Sequence, residues 1–135
     1  MTDILTDESR DALIDYRLSK ADLALDDAEF SARGGRYVMA VDRLYYACYY
    51  AASALLLKSC LDCSNHKGVK TLLFLHFVVP GKLDRKLVKS YTLLFNSRQS
   101  GDYEDFVDSD ADDYASLRPE AEKFIAAVKN LITES

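Results

Sequence analysis

Apolar residues recur at helical spacing along almost all of this chain. Ile14, Leu18, Ala21, Leu25 and Ala28 alternate steps of four and three, the stripe of an amphipathic helix. Thr6 stands where an N-cap is needed, and Asp7 and Glu8 follow in the first turn, where the helix dipole favours acids. Gly34-Gly35 supplies a left-handed stop, so the first helix is predicted over Asp7–Arg33. A second helix, from Arg36 to Leu61, is apolar nearly all round, with Val38, Met39, Val41, Leu44, Tyr45, Ala47, Cys48, Ala51, Ala52, Leu55 and Leu56. Such a helix must be covered on several sides. That predicts a central place in a bundle, with a second copy of the chain over the face left open.

Asn65 is the expected cap of a short third helix carrying Val69, Leu72, Leu73, Phe74 and Phe77, stopped by Pro80-Gly81. The fourth helix, from Leu83 to Ser100, has Leu83, Leu87, Tyr91 and Leu94 in one stripe, and the next position at that spacing is Arg98. The fifth holds Tyr114, Leu117, Ala121, Phe124, Val128 and Leu131 in register across Pro119. It either bends at that proline or starts near Leu117. No alternating pattern competes with these helices, and no internal repeat occurs. The fold class is therefore all-α, an up-and-down bundle of about five helices, four in the core and one short, forming a single domain over residues 1–135.

Composition agrees. A chain of 135 residues that is 49% hydrophobic can bury a core without disulfides or metals. The longest stretch without formal charge, Leu44 to Leu57, has 14 residues and four tyrosines, short of the roughly 20 apolar residues of a membrane span. Three cysteines cannot all pair, and the first ten residues are polar and acidic, so the expected location is the cytoplasm. The net charge of −5 argues against a wholly basic nucleic-acid binder, yet charge is unevenly spread. Between His66 and Lys89 there are six basic residues (Lys67, Lys70, Lys82, Arg85, Lys86, Lys89) against Asp84 alone, whereas Glu104 to Asp113 holds six acids and no base. Either these are two solvated faces, or the basic one attracts phosphate.

Candidate chemistry is sparse. Cys60, Cys63 and His66 have zinc-like spacing, but a closed site needs four ligands and Cys48 lies about 18 Å up the helix, so no metal is expected. There is no glycine-rich phosphate loop and no nucleophile elbow. His76, one turn from Leu72 and Leu73, is expected at the edge of the core. His66 opens the third helix beside Asn65 and Lys67, where it either touches the end of the second helix or helps hold a phosphate. The stretch Arg98-Gln99-Ser100-Gly101-Asp102-Tyr103 is the most informative. An arginine continuing an apolar stripe needs a partner: an aspartate such as Asp102 or Asp42, or a bound phosphate. Asp42, Arg43 and Tyr46 form a polar group in the otherwise apolar second helix. Together with Arg98 and Tyr103 they make the candidate site.

The series Arg43-Leu-Tyr45-Tyr46-Ala47, His66-Lys67-Gly68-Val69, Gly81-Lys82-Leu83 and Arg98-Gln99-x2-Asp102-Tyr103, in this order over about Leu13 to Ile132, resembles the HEPN family, most closely its stand-alone bacterial and archaeal members. The resemblance implies a helical bundle that pairs as a homodimer. It also implies one of two roles: a metal-independent endoribonuclease with an Arg-x4–6-His motif, or the companion of a minimal nucleotidyltransferase in a toxin–antitoxin-like system. Arg98 matches the motif arginine, and Tyr103 occupies the histidine position. A phenol with a pKa of about 10 is a poor base at neutral pH, where an imidazole near about 6.5 is a good one. The expectation is therefore a nucleotide- or RNA-binding module of weak or no catalysis, with Arg98, Asp102, Asp42, Arg43, Tyr46, His66 and Lys67 at its binding site and no cofactor. The alternatives are an endoribonuclease using Arg98 with Tyr103 or His66, and a helical interaction protein in which Arg98 is structural.

Overall fold

The structure, a computed structural model, describes residues 6–61, 65–103 and 109–134, with the backbone alone for 97–103. Every regular element among these residues is helical: α1 (Asp7–Arg33), α2 (Tyr37–Lys58), α3 (His66–Leu73) running into a π-helical turn (Phe74–Val78), α4 (Arg85–Tyr103) and α5 (Ala111–Glu134). The all-α bundle is as the periodicity predicts.

Capping sets the boundaries. The Thr6 side chain accepts a hydrogen bond from Ser9 N at 3.0 Å, and α1 ends in a left-handed Gly35 whose successor, Arg36, donates back to Ser31 O at 2.8 Å. The end of α2 repeats that closure with an unusual residue. Leu61 N bonds Leu56 O at 2.7 Å while Cys60 takes φ +60, a region an L-residue with a side chain occupies at a cost of about 1–2 kcal/mol. Cys60→Gly is expected to raise stability by about 1 kcal/mol, seen as a higher thermal midpoint of the circular dichroism signal; an unchanged or lower midpoint would contradict this.

Asp110 and Asp113 cap α5 reciprocally. Asp113 N donates to Asp110 Oδ1 at 2.9 Å and Asp110 N donates to Asp113 Oδ2 at 3.0 Å. This box starts α5 at Ala111, so Pro119 lies inside the helix rather than at its start.

α2 runs through the middle, packed against α1, α4 and α5 and touched by α3. Its residues Ala51 to Leu57 are all buried, and small side chains on both partners (Ala21, Ala24 and Ala28 on α1; Ala40, Ala47 and Ala51 on α2) allow close packing. The covering that the apolar sequence demands comes from the chain's own helices. Only Val38 and Met39, in the first turn, stay exposed, which removes the expected reason for a second copy over α2. Cys48 points its Sγ at Ala121 O of α5, and burial raises its thiol pKa far above the ordinary value, leaving it inert. Side chains also tie α1 to α5: Lys129 meets Asp22 at 2.8 Å, and Arg118 binds both Glu29 and the Tyr114 hydroxyl.

The π-helical turn carries the chain from Phe74 to Val78. Val69, Leu73 and Phe77 are buried at steps of four, and Val78 beside Phe77 is buried as well. Phe74, Leu75 and His76 face outward together between Leu73 and Phe77. His76 is exposed rather than at the core edge, because here the core takes Leu73, Phe77 and Val78 and leaves the three residues between on the outside.

Candidate functional site

His66 opens α3 directly after Asn65, whose side chain accepts from Gly68 N at 2.6 Å and so fixes the first turn. That turn lies against the first half of α2, not its end. His66 Nδ1 is 2.5 Å from the Tyr45 hydroxyl, the imidazole stacks on Tyr49 with centroids 4.0 Å apart and planes at 12°, and Tyr46 meets it edge-on at 5.7 Å. Three side chains of one α2 segment thus hold one half-buried imidazole.

Behind it, rings stack across the bundle. Tyr45 of α2 lies 5.6 Å from His66 and 5.7 Å from Tyr91 of α4, and Tyr91 lies 5.3 Å from Phe124 of α5 at 7° between planes. These are offset-stacked separations. Tyr45, Tyr91 and Phe124 are fully buried. The Tyr91 hydroxyl makes no hydrogen bond to any described group. Burial, and next the neighbouring Tyr45, push its pKa well above the ordinary value, so this phenol stays protonated.

Cations sit on both sides. Arg43 pairs with Asp42 at 2.9 Å and lies 4.5 Å over the Tyr46 ring. On the other side Lys70 lies 5.0 Å over Phe95, which itself packs 6.0 Å from Tyr45. Lys67 is exposed in the first turn of α3 beside His66. Further along, Arg85 covers Phe74 at 5.7 Å and Lys82 covers Phe77 at 6.0 Å. Three cations of the basic run, Lys70, Lys82 and Arg85, thus rest on aromatic rings.

The structure therefore joins Asp42, Arg43, Tyr46 and His66 in one cluster, with Lys67 beside it. Arg98, Asp102 and Tyr103 fall on the last turns of the α4 backbone, and their side chains lie outside the described residues. Arg98 follows Phe95 by three positions and Tyr91 by seven, the helical register of the two α4 rings that touch Tyr45. Sequence reasoning missed Tyr45 and Tyr49. Tyr45 counted only as apolar, and its signal was four tyrosines within six positions of an otherwise mostly small and aliphatic helix.

A family model for the HEPN domain matches residues 14–131. The chain belongs to the HEPN family. It is 35% identical over 125 residues to a UPF0332 protein of Thermotoga maritima, covering 93% of this chain and 95% of that relative. Two putative toxins of Methanocaldococcus jannaschii are also similar. One is 34% identical over 73% of this chain and 72% of its own length, the other 31% identical over 64% and 59%. No described helix is long and apolar enough to cross a membrane.

Proposed function

We propose that this chain is a HEPN-type module that binds RNA or nucleotide at a cleft between α2, α3 and the end of α4. It would act as a homodimeric companion of a minimal nucleotidyltransferase in a toxin–antitoxin-like pair. The observation that carries the reading is His66 held by Tyr45, which itself packs on the α4 rings whose register leads to Arg98, with Arg43 over Tyr46 and Lys70 over Phe95. Cations over aromatic rings suit single-stranded nucleic acid, where charge follows the phosphates and rings accept bases. The toxin names of two relatives support the setting. In this role Arg98 holds a phosphate, with Arg43, Lys67 and His66 adding donors and Asp42, Tyr46 and Asp102 orienting them.

The placement of His66 favours a second reading, weak metal-independent cleavage. Tyr45 engages Nδ1, so Nε2 is the nitrogen that would take the proton from a ribose 2′-hydroxyl. The 2′-oxygen then bonds to phosphorus, Arg98 offsets the added negative charge, and the bond to the 5′-oxygen breaks as that oxygen gains a proton.

The test is fluorescence anisotropy of a labelled single-stranded RNA oligonucleotide in chelator. Arg98→Ala is expected to weaken binding at least about tenfold with an unchanged thermal midpoint, the loss of a charge-assisted phosphate contact. Equal affinity in the variant would overturn the site.

A further inference from the structure

Cations on α1 and α5 are paired with acids. Arg10 meets Asp7, Arg33 and Arg118 meet Glu29, and Lys129 meets Asp22. Along α3 and the start of α4 the pattern is different. Lys67, Lys70, Lys82, Arg85 and Lys89 form no ion pair with any described residue. Asp84, the acid of this stretch, is engaged as a cap of α4, where its Oδ1 accepts from Lys86 N at 2.9 Å. A row of unpaired cations attracts an anionic strand, which binds by displacing the counterions around its phosphates.

The charges also stand in a line. Lys67, Lys70 and Phe74 recur at steps of three and four, so one face of α3 carries them into the π-helical turn. α4 runs back along that face. Arg85 lies 5.7 Å over Phe74 and Lys70 lies 5.0 Å over Phe95, and Lys89 stands one turn after Arg85. The seam between the two helices therefore starts beside His66 and ends at Phe74, about 10 Å further along α3. Phe74 is 40% exposed, and with Arg85 on its ring it sets a stacking surface and a phosphate donor at one place.

We infer that a single-stranded RNA held at His66 continues along this seam to the π-helical turn. Lys67, Lys70, Arg85 and Lys89 meet its phosphates, and a base stacks on Phe74. The inference rests on the nucleotide-binding reading above and adds a length requirement to it: affinity grows until the strand reaches Phe74. An acidic protein segment would answer the same charges, but continuity with the His66 cluster favours one strand running through both.

The experiment is fluorescence anisotropy with labelled single-stranded RNA of about three and about ten nucleotides, each across a salt series. The longer strand is expected to bind at least about tenfold more tightly. Arg85→Gln with Lys89→Gln should remove most of that gain and lower the salt slope for the long strand by about 1.4, at about 0.7 for each phosphate contact. Phe74→Ala should weaken the long strand at least about fivefold at unchanged slope, the loss of one stacked base. Both variants should keep the thermal midpoint and the short-strand affinity of the unmodified chain. Affinity independent of length, or a long strand indifferent to these substitutions, overturns the seam, while Arg98→Ala still reads the proposed site by itself. Long-strand binding lost in the seam variants and kept in Arg98→Ala supports the seam and overturns the role of Arg98. Polyglutamate that displaces the long strand as readily as unlabelled RNA does would mark a face for an acidic protein and overturn the RNA assignment.

Discussion

Phe124→Ala is expected to destabilise the bundle by about 3–5 kcal/mol, measured as a fall in the urea midpoint at unchanged slope. Phe124 is fully buried on α5 and stacks 5.3 Å from Tyr91, so removing its ring leaves a cavity beside a buried phenol. The loss should reach the site. Tyr91 supports Tyr45, and Tyr45 holds Nδ1 of His66, so the variant should also weaken RNA binding under conditions where it remains folded. A destabilisation below about 1 kcal/mol would mean that the rings are not one packed column.

The stack explains why the site was only partly legible in the sequence. Helix spans followed from periodicity and caps, because Thr6, Gly35 and Asn65 act through neighbours a few residues away. Two starts for α5 stayed open, one with Pro119 inside the helix and one near Leu117, because the box that decides for the first uses two aspartates rather than the usual Ser/Thr with Glu. The π-helical turn left no mark that a straight 3.6-residue repeat detects, and His76, expected at the edge of the core, is exposed. The central position of α2 was legible, but which neighbours cover it was not, since an apolar surface does not record whether its own chain or a copy lies upon it.

At the site the difference is sharper. Asp42, Arg43 and Tyr46 share a short stretch of helix, and their grouping follows from spacing alone. His66 joins them across 20 or more residues, through the loop between α2 and α3, and no local pattern encodes that return. Tyr45 shows the same limit. A tyrosine in a buried helix needs a partner for its hydroxyl, and the sequence gives the need without the partner.

That partner decides which residue does proton work, and the test is cleavage of RNA in chelator. The unmodified protein is expected to cleave weakly, and His66→Ala to lower the rate by about 10²–10⁴, the usual worth of a positioned acid or base. Tyr103→Phe should stay within about threefold, since a phenol is a far poorer proton acceptor at neutral pH than an imidazole. Tyr45→Phe should fall between them. It keeps the ring that His66 and Tyr91 stack on and removes only the hydroxyl at Nδ1, which loosens the imidazole and its tautomer without emptying the core. His66→Gln separates chemistry from contact: it retains polar groups on α3 but exchanges no proton, so RNA affinity should hold while cleavage is lost. If Tyr103→Phe abolishes cleavage and His66→Ala spares it, the imidazole is a packing element of the tyrosine cluster. If the unmodified protein does not cleave at all, His66 and Arg98 remain as groups that hold a phosphate, and the binding-module reading stands without the enzyme.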